Sequence, residues 1–152
     1  MTTRATFLFL IALPLVCAQI DQGVKLRETY KAPLRAAYDR QSGKAGQDCQ
    51  AESNNGQQPY NICMGRVADE AEKDFDVFYS NLQMLCHDRN QLSTLQDSQK
   101  NWLAYKDSAL KAARALWPEG SGAPGFLAEV HLRLVRYHMR ELNETYALNI
   151  AQ

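Results

Sequence analysis

The sequence carries no formal net charge, with 17 lysines and arginines set against 17 aspartates and glutamates. That balance argues against nucleic acid or an anionic membrane surface as the partner. No Cys-x-x-Cys occurs, which removes the usual redox and zinc arrangements. The three histidines, His87, His131 and His138, form no ligand pair at i,i+4 spacing, and no nucleophile motif frames any serine. No catalytic residue, metal site or cofactor is therefore assigned, and the chain reads as a non-enzyme. The apolar run at residues 7–16 is too short to cross a bilayer, which takes about 20 residues. Nothing resembles a series of strands, an internal repeat or a low-complexity tract.

What is present suffices for one folded domain. The chain has 152 residues, of which 45% are hydrophobic and 22% charged, so disorder is not the expectation. Residues 1–18 read as a secretory signal: Arg4 is the positive start, residues 7–16 are the apolar segment, and Val16-Cys17-Ala18 fits a small-residue cleavage site. Cleavage after Ala18 would begin the mature chain at Gln19 and place it in the periplasm or outside the cell. A second reading makes Cys17 a lipidated residue, the one route by which a membrane becomes a partner.

Helical periodicity organises the rest. Leu92, Leu95, Gln99, Trp102, Lys106, Leu110 and Ala113 advance by threes and fours, one face of a helix with Trp102 at its middle. A tryptophan there buries about 200 Å². Upstream, Val67, Ala71, Phe75, Phe78, Leu82 and Leu85 form a second stripe within residues 61–86. Downstream, Leu127, Val130, Leu134, His138, Leu142 and Tyr146 form a third, from Pro124 to about residue 147. Ser93 and Gln96 have capping-box spacing and would start the middle helix. Pro118 and the glycines after it stop that helix. Residues 24–41 give a weaker signal in which Pro33 suits a first turn, so a short helix from there and a loosely attached arm stand as equal readings. Residues 42–60 read as a polar linker.

The expected fold is all-α: an antiparallel bundle of three long helices plus a short N-terminal helix or arm, with one intrachain disulfide. The divisions are a signal at 1–18, an N-terminal arm at 19–47, the helical domain at 48–147 and a tail at 148–152. The expected core includes Phe75, Phe78, Tyr79, Leu95, Gln99, Trp102, Asp107 and Leu134. Gln99 and Asp107 are read as polar groups that fix helix packing around the indole.

Export leaves three mature cysteines, Cys49, Cys63 and Cys86, where disulfides persist. Cys63 and Cys86 sit at opposite ends of one helix, roughly 35 Å apart at 1.5 Å per residue. A disulfide needs Cα atoms within about 7 Å. Cys49–Cys63 is thus the expected bridge, leaving Cys86 either as a partly buried thiol or as the link of a disulfide-joined dimer.

These features resemble the LprI-type lysozyme-inhibitor-like family of small exported bacterial proteins. Asp48-Cys49 and Cys63 match its opening cysteines, and Ala71, Glu72, Phe75, Asp76 and Tyr79 align with its first helix motif. Leu95, Gln99, Trp102, Tyr105, Lys106 and Asp107 match its tryptophan motif, and Gly120-Ser121 its turn. The resemblance spans about residues 48–146. Two departures stand out. Leu110 and about Val130 replace a second cysteine pair, and His138 stands where members usually have an arginine. The resemblance implies a helical, protein-binding domain that inhibits a lysozyme-like cell-wall hydrolase. The alternatives are a periplasmic immunity protein against a delivered toxin, or a non-inhibitory structural or accessory envelope domain. The acidic residues Asp69, Glu70, Glu72, Asp74 and Asp76 form a candidate partner face, which would suit a strongly basic hydrolase. The intruding element would be the segment 50–60 or the turn 118–124.

Overall fold

The computed structural model describes residues 12–43 and 48–147, with side chains from residue 25 on. Its helices are α1 (Ala12–Ser42), α2 (Gln50–Ser53), α3 (Gln57–Leu85), α4 (Arg89–Leu116) and α5 (Ala123–Leu142), followed by a π-helical turn at Asn143–Ala147. No strand occurs among the described residues. Residues 1–11 of the expected signal and the tail at 148–152 lie outside them.

Helix α3 is the axis of the bundle. It packs between α1 and α5, while α4 leans chiefly on α5. Its inner face buries Met64, Ala68, Ala71, Phe75, Phe78, Leu82 and Leu85. Phe78 and Leu82 lose all contact with solvent, which stabilises the fold by about 1.5–3 kcal/mol each. Arg27 reaches His87 beyond the far end of α3, and Arg40 reaches Asp74 near its middle, so α1 runs antiparallel to α3. Short turns reverse the chain into α4 and again into α5.

The N-terminal element is a long helix, not a short one beginning at Pro33: α1 runs through that proline. A proline inside a helix removes a hydrogen bond and costs about 3 kcal/mol. Here Leu34, Ala37 and Gln41, all buried, hold the following two turns against the bundle. The segment 42–60 is not wholly linker either, since α2 and the first turn of α3 lie within it. Gly56, at φ 108°, makes the reversal that separates them. Pro59 falls in the first turn of α3, where no backbone N–H is required.

Helix α4 begins one turn earlier than Ser93 predicts. Asp88 is its N-cap, accepting from Gln91 N at 2.8 Å, and the Gln91 side chain accepts from His87 N at 2.8 Å. The pair is a variant of the capping box, in which the glutamine reaches past the N-cap to the N–H of the residue before it. At the other end, Trp117 closes over the turn: its ring meets Phe126 at 5.3 Å and covers Gly122, where an added Cβ would stand 2.9 Å from it.

The bridge joins Cys49 to Cys63, with Cα atoms 5.8 Å apart. It pins α2 to the first turns of α3. Cys86 is a half-buried free thiol. Its Sγ donates to Leu82 O at 3.7 Å, and burial pushes its pKa up.

Candidate functional site

Two polar assemblies and one aromatic cluster decide which side chains of α3 are left to meet a partner. The aromatic cluster sits between α3, α4 and α5. Trp102, 9% exposed, stacks on the His138 ring at 4.2 Å and 8° between planes, and on Phe75 at 5.3 Å. Phe75 in turn stacks on the half-buried Tyr79 at 5.9 Å. His138 is buried, with Nε2 2.9 Å from Gln99 Oε1 and Nδ1 3.1 Å from Glu141 Oε2. Burial holds its pKa below the usual histidine range, so the stacked ring is neutral near pH 7.

The first polar assembly is built on Glu72. Its carboxylate accepts from Lys106 Nζ at 2.7 Å and lies 2.7 Å from His131 Nε2. These hydrogen bonds, His131 first, pull its pKa down to about 2 against the desolvation that opposes them. Lys106 also lies 4.8 Å above the Trp102 ring. One ammonium therefore serves both the carboxylate and the indole.

The second runs through Asp74, Gln41, Arg136 and Asp48. Arg40 and Gln41 of α1 both donate to Asp74, at 2.6 and 2.7 Å. Gln41 Oε1 accepts from Arg136 Nε at 3.1 Å, and Arg136 closes a two-pronged pair with Asp48, next to the bridge, at 2.5 and 3.1 Å. Both members of that pair are largely buried, at 13% and 10% side-chain exposure. One chain of bonds thus ties α1, α3, α5 and the disulfide segment together. It is Arg136, two residues before His138, that supplies a last-helix guanidinium to the cysteine loop.

These assemblies divide the acidic run. Glu72 and Asp74 turn inward and are neutralised. Asp69, Glu70 and Asp76 remain exposed, and among the described residues none of the three has an ion-pair partner. The candidate partner face is accordingly narrower than the five acidic residues of the sequence pattern.

The expected core residues separate in the same way. Phe75, Phe78, Leu95 and Trp102 are buried, and Tyr79 and Gln99 are half-buried beside them. Asp107 is exposed and pairs with Lys111 at 2.6 Å, one turn away, so it does not fix the indole as expected. It faces solvent because α4 is covered on one side only. Leu134 is half-buried at the edge of α5, whose buried line is Leu132, Val135, Met139 and Leu142. Three neighbours crowd α5, so its buried arc is wider than one stripe and shifted by about one residue.

Beside Asp69 a cleft of about 220 Å³ opens between α3, α4 and α5. Gly65, Ala68 and Asp69 line it from α3, Leu110 and Arg114 from α4, and Leu127, Ala128 and His131 from α5. Leu110, at one of the departures from the family cysteine pattern, is thus a wall of this cleft. Neither Gly65 nor Arg114 belongs to any sequence stripe. The one signal was a glycine in an otherwise regular helix.

The described residues bring one metal-like group together, Cys49, Glu52 and Cys63, but its two sulfurs are bonded to each other and offer no thiolate. No described helix is long and apolar enough to cross a membrane. No curated protein and no solved structure matches the chain. A family model does: that of the lysozyme inhibitor LprI, over residues 49–147. The match runs from the first bridged cysteine through the aromatic cluster to the end of the described bundle, and on it the chain belongs to the LprI lysozyme inhibitor family.

Proposed function

We propose that this chain is a protein ligand, not an enzyme, which acts after export by binding and blocking a basic lysozyme-like cell-wall hydrolase. The observation that carries this reading is the division of the acidic run. Asp69, Glu70 and Asp76 stand exposed on α3 with no ion-pair partner among the described residues, while Glu72 and Asp74 are taken up by the bundle. Family membership supplies the class of target, and the exposed carboxylates supply a sign of charge that fits a basic one. Attraction of this kind raises the association rate and weakens with salt. The supporting framework is rigid, since the disulfide and the Asp48–Arg136 pair fix the start of α3. The test is lysis of a cell-wall suspension by a basic c-type lysozyme with increasing amounts of the protein. Stoichiometric slowing of lysis, relieved by salt, is the expected result. Undiminished lysis at micromolar protein, with acidic and basic lysozymes alike, overturns the reading.

A further inference from the structure

Helix α4 is covered on one side only, and its uncovered side is patterned. Trp102 is buried against the bundle, and two residues at about 100° each put Ala104 on the side away from it. The residues of that outer side are exposed from Ser93 to Ala115. Their charges alternate in sign along the helix: Asp97, Lys100, Asp107, Lys111. They are also centred on Ala104, with Asp97 seven residues before it and Lys111 seven after, Lys100 four before and Asp107 three after. A large apolar side chain stands on each flank of the row. Leu103, 46% exposed, lies between Lys100 and Asp107 by steps of three and four, and Tyr105, 61% exposed, lies likewise between Asn101 and Ser108. Among the described residues Asp97 and Lys100 have no partner. Lys111 and Asp107 hold each other at 2.6 Å with 74% and 64% of their side chains exposed, a surface pair that contributes little and is free to be shared.

We propose that α4 is the seat of a dimer, in which it pairs antiparallel with α4 of a second copy of this chain and crosses it at Ala104. A two-fold axis there sets residues equally far before and after Ala104 opposite one another and keeps each flank on its own side. Asp97 then meets the second copy's Lys111, twice by symmetry. Lys100 meets its Asp107 on the flank where the two Leu103 side chains pack together. Asn101 meets its Ser108 on the other flank, beside the two Tyr105 rings. Ala104 lets the helices approach closely at the centre. Parallel pairing in register would set every charge against its own sign, so the order of charges selects the antiparallel arrangement. The paired stretch is roughly 33 Å long, at the small end of specific interfaces, so association in the micromolar range is expected. The inference is independent of the function proposed above.

The test is sedimentation of the full chain from low to high micromolar concentration, for the parent and its variants. The parent should pass from monomer to dimer mass, and Cys86→Ser should do so equally, because the contact needs no disulfide. Asp97→Lys and Lys111→Glu each bring like charges together and should weaken association about tenfold, with melting temperatures close to the parent's. Mixed in equal amounts, those two variants should recover parent-like association, since each supplies the charge the other lacks. A mixture that associates no more tightly than either variant alone overturns the pairing. So does a parent that stays monomeric throughout, or a dimer that is lost in Cys86→Ser.

Discussion

Replacing Arg136 by methionine should damage this fold more than any other single surface-near change. The guanidinium holds both oxygens of Asp48 and donates to Gln41 Oε1, and both ions are largely withdrawn from water. Methionine keeps much of the aliphatic volume but leaves the Asp48 carboxylate with no counter-ion. Breaking a buried pair from one side costs about 3–5 kcal/mol. Domains are stable by only about 5–15 kcal/mol. A chain of this length loses about 2–4 °C of melting temperature per kcal/mol, so a fall of roughly 6–20 °C is expected. Asp48→Asn should cost less, because the amide oxygen still accepts from Arg136. The double variant Asp48→Leu with Arg136→Met removes both charges and should recover most of the loss, as replaced ion pairs often do. Urea unfolding followed by circular dichroism measures all four species. Arg136→Met within about 1 kcal/mol of the parent, or a double variant no more stable than Arg136→Met alone, would show that the pair does not tie the cysteine loop to α5.

Replacing Cys49 and Cys63 together by alanine should lower stability by about 3 kcal/mol, the chain-entropy value for a loop of about 15 residues, read from the denaturation midpoint. Gly125→Ala should cost about 1–3 kcal/mol by overpacking against Asn61 and Tyr60, whereas Gly65→Ala should be neutral or gain up to about 1 kcal/mol; thermal melts of the two compare them directly. Stability should fall with acid in two steps. His138, whose folded pKa lies below its ordinary 6.5, contributes stability that is complete above that value and lost as pH falls through the lowered one. Glu72, held at about 2 against an ordinary 4.5, contributes stability complete above 4.5 and lost as pH falls towards 2. In pH-dependent unfolding curves Glu72→Gln should abolish the lower step and leave the upper, and loss of neither step would refute the assignment. Cys86, half-buried with its pKa raised, should react slowly with maleimide at neutral pH, and rapid labelling would contradict its place beside Leu82 O.

Periodicity carried most of the architecture. Phe75, Phe78 and Leu82 mark the buried side of α3 because an apolar stripe at steps of three and four has only one way to face a core. The cysteine pairing followed from the length of that same helix. Long-range polar pairing was not legible. Nothing local to Gln41, Asp48 or Arg136 announces a network across residues as far apart as 88 and 95 positions. Asp107 misled because it follows Lys106 of the stripe, yet five residues from Trp102 carry it well round the helix towards solvent, and exposure depends on how many neighbours α4 has, which no spacing reveals. The strength of α1 was hidden for a related reason: Pro33 is a local signal against helix, and the packing that overrides it comes from α3. Of the candidate site, the acidic run was visible, but not its division. Which carboxylates turn inward depends on Lys106, His131, Arg40 and Gln41, all supplied by other helices.

The central claim is that the free carboxylates of α3 draw a basic hydrolase onto this bundle. It is tested most directly by titrating a basic c-type lysozyme with the parent chain and with the triple variant Asp69→Asn, Glu70→Gln, Asp76→Asn, at low and at physiological salt. The account predicts saturable one-to-one binding by the parent that weakens with salt, and binding by the equally stable triple variant that is far weaker and nearly indifferent to salt. Equal affinity and equal salt dependence for the two proteins would contradict it.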